Sequence, residues 1–157
     1  MMKIKVIGRN LMLLAGVLLF TVSCSDDEDY NSRLPEFAGL NTNPEVVTVN
    51  GDSVVVEIPV SKGGRYVSCS SSTWTITPSV GDIVGQKSDP LDRTNPTCRF
   101  AAPTSRGQYE IRYEAKYTIS GQGKNTSWSV PFSGGRVSYE MGSLFGKIIV
   151  TKTIKVQ

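Results

Sequence analysis

Histidine is absent from this sequence of 157 residues, and that absence removes several kinds of site at once. Without an imidazole, neither a Ser-His-Asp nor a Cys-His arrangement exists, and the usual catalytic zinc ligand sets are missing. The glycine pairs at 63–64 and 134–135 lack the Lys-Ser/Thr that follows in a phosphate-binding loop. We therefore expect no enzyme, no cofactor and no metal site.

Carboxylates are the catalytic groups that remain, since a glycosidase needs only two of them. Glu110 and Glu114 fall on one face of an alternating segment, interleaved with Arg112 and Lys116. Alternating charge of both signs is typical of a solvated strand face. A hydrolytic enzyme stays an alternative only if two carboxylates converge in a cleft.

Long hydrophobic runs are also lacking. The longest, at residues 11–22, has 12 residues, whereas a transmembrane helix needs about 20. Lys3, Lys5 and Arg9 precede this run, and the small residue Ser23 follows it. This order is typical of a signal peptide; the alternative is a buried N-terminal helix, but no polar residues alternate through the run to give it a wet face.

The sequence TVSC at residues 21–24 resembles the lipobox of a bacterial lipoprotein, and the acidic SDDED that follows resembles the tethers of Bacteroidetes surface lipoproteins. Thr21 departs from the pattern, because Leu is commonest at that place. The resemblance covers about the first thirty residues and implies a signal peptide at 1–23 and a lipidated Cys24. The polar residues that continue to 43 predict a flexible acidic tether at 24–43. The resemblance also implies attachment to the outer membrane through lipid on Cys24, with the domain exposed at the cell surface.

The basic character of the whole chain comes from the leader. Three of the 17 basic residues precede Cys24 and no acidic residue does, so the mature chain has 14 of each sign. Nucleic-acid-binding domains carry a clustered basic excess. We therefore expect no nucleic-acid partner.

Two cysteines remain after Cys24, namely Cys69 and Cys98. An even pair in an exported chain suggests one disulfide, because the periplasm is oxidising. The alternative is two separate buried thiols. Cys98 shares its alternation with Phe100 and should point inward. Cys69 is out of phase with Trp74 and Ile76 unless the serine run between them breaks the strand.

Residues 44–157 read as an all-β domain. No segment keeps a helical period for three turns, and Val, Thr, Ile, Tyr and Ser recur between closely spaced turn residues. We expect an antiparallel β-sandwich of about 7–9 strands. Asn50-Gly51 suits a two-residue type I′ turn, which predicts a hairpin of 45–49 with 52–60. Strict alternation over 109–119 predicts a long strand with one wet face.

The sequence FAAPTSRGQYEI at residues 100–111 resembles the passage between strands E and F of immunoglobulin-like and polycystic-kidney-disease-type (PKD) domains. The resemblance implies a tyrosine corner at Tyr109, places Ile111 where immunoglobulins have their second disulfide cysteine, and makes Trp74 the strand-C tryptophan. It supports a fold and no ligand.

Segments 127–132 and 136–141 alternate and flank Ser-Gly-Gly, which predicts an additional hairpin. Aromatic residues concentrate there and just after it: Trp128, Phe132, Tyr139 and Phe145. Exposed aromatic rings stack on sugars, whereas buried rings simply fill a core, and both readings of these four residues stay open.

Together these features predict a non-enzymatic lipoprotein of the outer membrane that serves a glycan-capture or adhesion system. Its partners would be the membrane, through Cys24, and a polysaccharide. The alternative is a structural or assembly subunit that docks on a larger outer-membrane protein complex and has no glycan ligand.

Overall fold

The structure is a computed structural model that describes residues 30–86 and 94–157. The predicted signal peptide, Cys24 and the first residues of the predicted tether lie outside these ranges. Within them every regular element is a strand, and none is a helix long and apolar enough to cross a membrane. The all-β prediction is confirmed at this level.

Eleven strands are present in the described residues, more than the expected 7–9 because several short strands accompany the long ones. They are β1 (Glu36–Phe37), β2 (Asn41–Asn43), β3 (Val54–Glu57), β4 (Val60–Lys62), β5 (Val67–Thr77), β6 (Ile83–Gln86), β7 (Thr97–Phe100), β8 (Gly107–Ile119), β9 (Thr126–Phe132), β10 (Gly135–Met141) and β11 (Phe145–Val156).

The strands form two main antiparallel sheets around one core, a sandwich-like arrangement. One sheet has four strands in the order β2-β3-β7-β6, and the other has five in the order β5-β8-β11-β10-β9. Strands β1 and β4 form a separate small pair. The long strands β8 and β11 pair over twelve residues and make the centre of the larger sheet.

Alternation on β8 decides which side chains enter the core. Residues with odd numbers from Tyr109 to Ile119 are all buried, and Ile111, Tyr113 and Tyr117 have no exposed surface. Val54, Val56 and Ile58 enter from the opposite sheet and are equally buried. Both faces were predicted from the sequence, because period-two alternation fixes the side of the sheet on which each residue lies.

The predicted tether is wrong from residue 30 onward. Leu34, Phe37 and Leu40 are at most 5 % exposed and belong to the core. Ser32 is also buried, and its backbone N–H donates to the carbonyl of Gln122 at 2.8 Å. The predicted boundary at residue 43 therefore divides a segment that folds with the rest of the domain.

The predicted hairpin at Asn50-Gly51 is also wrong. A type I′ turn needs positive φ at both central residues, but only Asn50 has it, at 52°. The segment before the turn pairs with the end of β11 instead: Val47 forms a parallel bridge with Val156, and Val49 N–H donates to the Gln157 carbonyl. Strand β3 pairs with β2 and β7.

Candidate functional site

The additional hairpin forms as the sequence predicts. Strands β9 and β10 pair in register, with Trp128 opposite Tyr139 and Val130 opposite Val137. Strand β10 continues onto β11, with Tyr139 opposite Ile148. Trp128 and Tyr139 therefore share the face that points toward the core, whereas Phe145 lies on the opposite, outer face of the sheet. The four predicted aromatic residues do not form one surface.

Tyr139 is a core residue, so the first of the two alternatives for it, stacking on a ligand, is wrong. Its side chain is 2 % exposed, and its hydroxyl accepts a hydrogen bond from the Phe37 N–H at 3.0 Å. Burial raises the pKa of this phenol, with the Phe37 hydrogen bond acting in the opposite direction. The contact fixes β1 against β10.

Trp128 lies on the outermost strand of the larger sheet and is 40 % exposed. Its ring stacks on Tyr139 with centroids 4.8 Å apart and planes 11° from parallel. Val130 beside it is also exposed. Phe132 is partly buried, because Gly39 approaches its ring so closely that a Cβ there would lie 3.4 Å from the ring edge. Trp128 and Val130 form what we call the β9 strip.

Phe145 stands in an open cleft of about 490 Å³ on the outer face of the larger sheet. Its ring is 69 % exposed, the largest fraction among the four aromatic residues. The cleft is lined by hydroxyl, charged and apolar groups together: Ser70, Lys116, Thr126, Glu140, Met141, Gly142, Phe145, Gly146 and Lys147. We call it the Phe145 cleft.

Three strands and a bulge position the polar groups of this cleft. Lys116 on β8 lies directly opposite Lys147 on β11, and the Lys147 ammonium lies 3.0 Å from the Glu140 carboxylate on β10. The register of β5 against β8 slips between Cys69 and Ser71, so Ser70 is an additional residue at the rim. Its hydroxyl donates to the Lys116 carbonyl at 3.0 Å.

The charges on this face argue against acid–base catalysis. The lining of the Phe145 cleft contains one carboxylate, Glu140, and it is paired with Lys147. Glu114 accepts a 2.8 Å hydrogen bond from Arg112, which lowers the pKa of its carboxyl. A glycosidase acid needs the opposite shift and a second carboxylate across the bond to be cleaved. In residues 30–86 and 94–157, no three His, Cys, Asp or Glu side chains group as metal ligands.

Cys69 and Cys98 are thiols and are not joined to each other, so the predicted disulfide is not formed in this structure. They lie in different sheets. Cys98 on β7 is 2 % exposed and pairs with Val56 and Gly85. Cys69 on β5 is partly buried, and its Sγ donates to the Ser71 carbonyl at 3.5 Å. Burial raises the pKa of Cys98 to about 12.

Sequence reasoning found Phe145 but not the residues around it. Alternation places Lys116 and Lys147 on the wet face of the larger sheet, yet it does not say which strands are neighbours. The phase difference between Cys69 and Trp74 indicated a break in the serine run of β5, and the structure shows that this break is a bulge at Ser70. The cleft therefore depends on strand order, which follows from tertiary packing rather than local pattern.

Comparison with known proteins gives no match. No protein-family model, no curated protein and no solved structure matches it.

Proposed function

We propose that this protein is a lipid-anchored, non-enzymatic binding module of the outer membrane, and that it takes a glycan in the Phe145 cleft. The observation that carries the proposal is the cleft itself, in which an exposed aromatic ring is surrounded by hydroxyl and charged groups. A sugar presents an apolar C–H face and a rim of hydroxyls. It therefore needs both kinds of contact within one site.

We further propose that the domain is an immunoglobulin-like or PKD-like sandwich. The order β2-β3-β7-β6 in one sheet and β5-β8-β11 in the other corresponds to the A-B-E-D and C-F-G strands of a constant-type immunoglobulin domain. Tyr109 supports the same assignment, because its hydroxyl donates to the Ser105 carbonyl at 3.1 Å as in a tyrosine corner. Strands β9 and β10 would then be an insertion between strands F and G.

The anchor is proposed from the leader. TVSC followed by acidic residues resembles a lipoprotein signal of Bacteroidetes, and two or more acyl chains give stable attachment where one does not. Replacement Cys24→Ser should move the protein from the detergent phase to the aqueous phase of a phase-separation extract. Unchanged partitioning of the variant would contradict lipidation at this residue.

Binding of polysaccharides in affinity gels or on a glycan array tests the ligand. We expect Phe145→Ala to weaken binding about tenfold, equivalent to about 1.4 kcal/mol. Trp128→Ala is the matched control, since it removes an exposed ring from the opposite face and should leave binding unchanged. Retention on no polysaccharide, or equal retention of parent and F145A, would contradict the glycan proposal.

The second candidate is docking on a larger outer-membrane complex, and the β9 strip favours it. Within the part of the chain that the structure describes, strand β9 pairs with β10 alone, and it is exposed along all but its last residue. A free edge with adjacent apolar side chains suits addition of a partner strand, although Pro131 offers no donor there. Val130→Arg should then abolish co-purification of a partner that F145A leaves intact; the reverse result favours the glycan reading.

A further inference from the structure

Three exposed apolar side chains lie at the end of the sandwich where the described chain begins. Tyr30 is 63 % exposed, Tyr66 37 % and Leu144 64 %. The rings of Tyr30 and Tyr66 stack with centroids 5.9 Å apart. The backbone of Ser120 donates to the Tyr66 carbonyl, and its neighbour Ile119 donates to the Leu144 carbonyl. Tyr66 and Leu144 therefore flank the same two residues. We call this group the Tyr30 patch.

Hydrogen bonds hold the start of the described chain firmly at this end. The Ser32 hydroxyl donates to the Tyr66 carbonyl and accepts from the Gly121 N–H, both at 3.1 Å. The Gln122 N–H donates to the Tyr30 carbonyl at 2.7 Å. Residue 30 thus has a fixed place beside the patch, and whatever precedes it must leave the domain from there.

Cys24 lies only six residues before Tyr30. At no more than about 3.6 Å per residue, six residues reach about 22 Å at most. The sandwich is longer than that: β8 runs for 13 residues from the far end to this one, about 40 Å at about 3.3 Å per residue. If Cys24 carries lipid, the Tyr30 end is the end of the domain closest to the bilayer.

From this placement we infer that the Tyr30 patch contacts the surface of the bilayer in which Cys24 is anchored. The strands of the domain then lie outside the bilayer, roughly perpendicular to the membrane plane. The inference rests on the proposed lipidation of Cys24. Tyrosine suits the headgroup region because its ring is apolar and its hydroxyl polar. The Arg65 guanidinium lies 5.0 Å above the Tyr66 ring, where it can meet headgroup phosphates.

The charged residues at the Tyr30 end favour neutral lipid over anionic lipid as the partner of this surface. The basic groups at this end, Arg33, Arg65 and Lys124, are outnumbered by the four acidic residues at 26–29, between the anchor and the patch. Attraction to anionic lipid is therefore not what holds the domain down. The contact is apolar and aromatic, and raising salt should not release it.

Quenching of tryptophan fluorescence by brominated lipid tests the contact in the full lipidated protein. The vesicles contain phosphatidylcholine and phosphatidylethanolamine with bromine near the headgroup end of the acyl chains. Leu144→Trp places a probe in the patch. Val46→Trp is the matched control, since Val46 is 55 % exposed and adjoins the Val47–Val156 bridge at the opposite end. Trp74 and Trp128 give the same background in both variants.

The L144W emission should be quenched about twofold or more beyond that of V46W, because the two ends are separated by about 40 Å and bromine quenches near contact. The excess should persist in 1 M NaCl. Equal quenching of the two variants in protein that floats with the vesicles overturns the orientation alone. A cross-linked dimer in which a second copy of the chain shields the L144W probe also overturns the orientation alone. Protein that does not float overturns the lipid anchor and this inference together.

Discussion

Trp128 and Tyr139 lie on the same face of the larger sheet but differ in burial. Trp128 is on the outermost strand, β9, and is 40 % exposed. Tyr139 lies one strand closer to the centre, on β10, and is 2 % exposed. Parity gives the face on which a residue lies, whereas burial depends on what packs against that face.

The two cysteines differ in accessibility, and this predicts different reactivity. In native protein at pH 8 without reductant, an alkylating reagent should modify Cys69 and leave Cys98 intact until the chain is unfolded. Cys98 is 2 % exposed with a pKa raised to about 12 by burial, and thiolates are the reactive form. Peptide mapping by mass spectrometry checks this. A Cys69–Cys98 peptide pair that separates only after reduction would contradict the thiol state.

At the scale of elements, long and strictly alternating segments were predictable and short ones were not. Strand β8 was predicted from eleven alternating residues and is confirmed. The segment before residue 44 contains few apolar residues among Pro, Asn and acidic side chains, so no periodic signal marks it. It folds because Leu34, Phe37 and Leu40 each meet the core individually. A turn sequence such as Asn50-Gly51 is likewise insufficient when β11 offers a competing partner.

Leu34 and Leu144 provide a matched test of whether the N-terminal segment stabilises the domain. Leu34 is 1 % exposed and packs closely on Gly146. A Cβ added at Gly146 would lie 2.7 Å from the Cδ2 atom of Leu34. Leu34→Ala should lower the free energy of unfolding by about 2–5 kcal/mol. Leu144→Ala, at a site 64 % exposed, should change it by less than about 0.5 kcal/mol. Urea denaturation measures both changes. Equally small effects of the two substitutions would indicate that the segment around Leu34 is a flexible tether, as the sequence predicted.

At the scale of the molecule, the lack of helical periodicity and the regular spacing of turn residues were enough to predict an all-β chain, and the two main sheets confirm it. The sequence did not reveal that the additional hairpin lies beside β11, and the Phe145 cleft depends on that position. Pairing between strands distant in sequence is decided by the burial of whole faces, which no local window contains.

The free energy of unfolding of the domain should fall at alkaline pH. The pKa of Cys98 sets the pH range over which it falls. Burial raises its pKa from 9.0 to about 12. Below pH 9 the thiol is protonated whether the chain is folded or not; above it the unfolded chain loses this proton first, so unfolding becomes more favourable up to about pH 12. Burial of Tyr139 acts in the same direction.

The urea midpoint measured against pH tests this linkage. The variant Cys98→Val keeps a small apolar side chain in the core but removes the titrating group. Its midpoint should decline less than that of the parent between pH 9 and 12. Parallel declines for the two proteins would show that Cys98 does not contribute to the pH dependence.

The described chain begins at one end of the sandwich and reaches Gln157 at the other, beside Val47. A load applied between Tyr30 and Gln157 would therefore act along the strands. The twelve paired residues of β11 and β8 would then bear force together in shear, rather than separating one hydrogen bond after another. With the anchor that we propose at Cys24, a pull on the last residues would be resisted along the strands, and the rate of unfolding rather than the equilibrium stability would set that resistance.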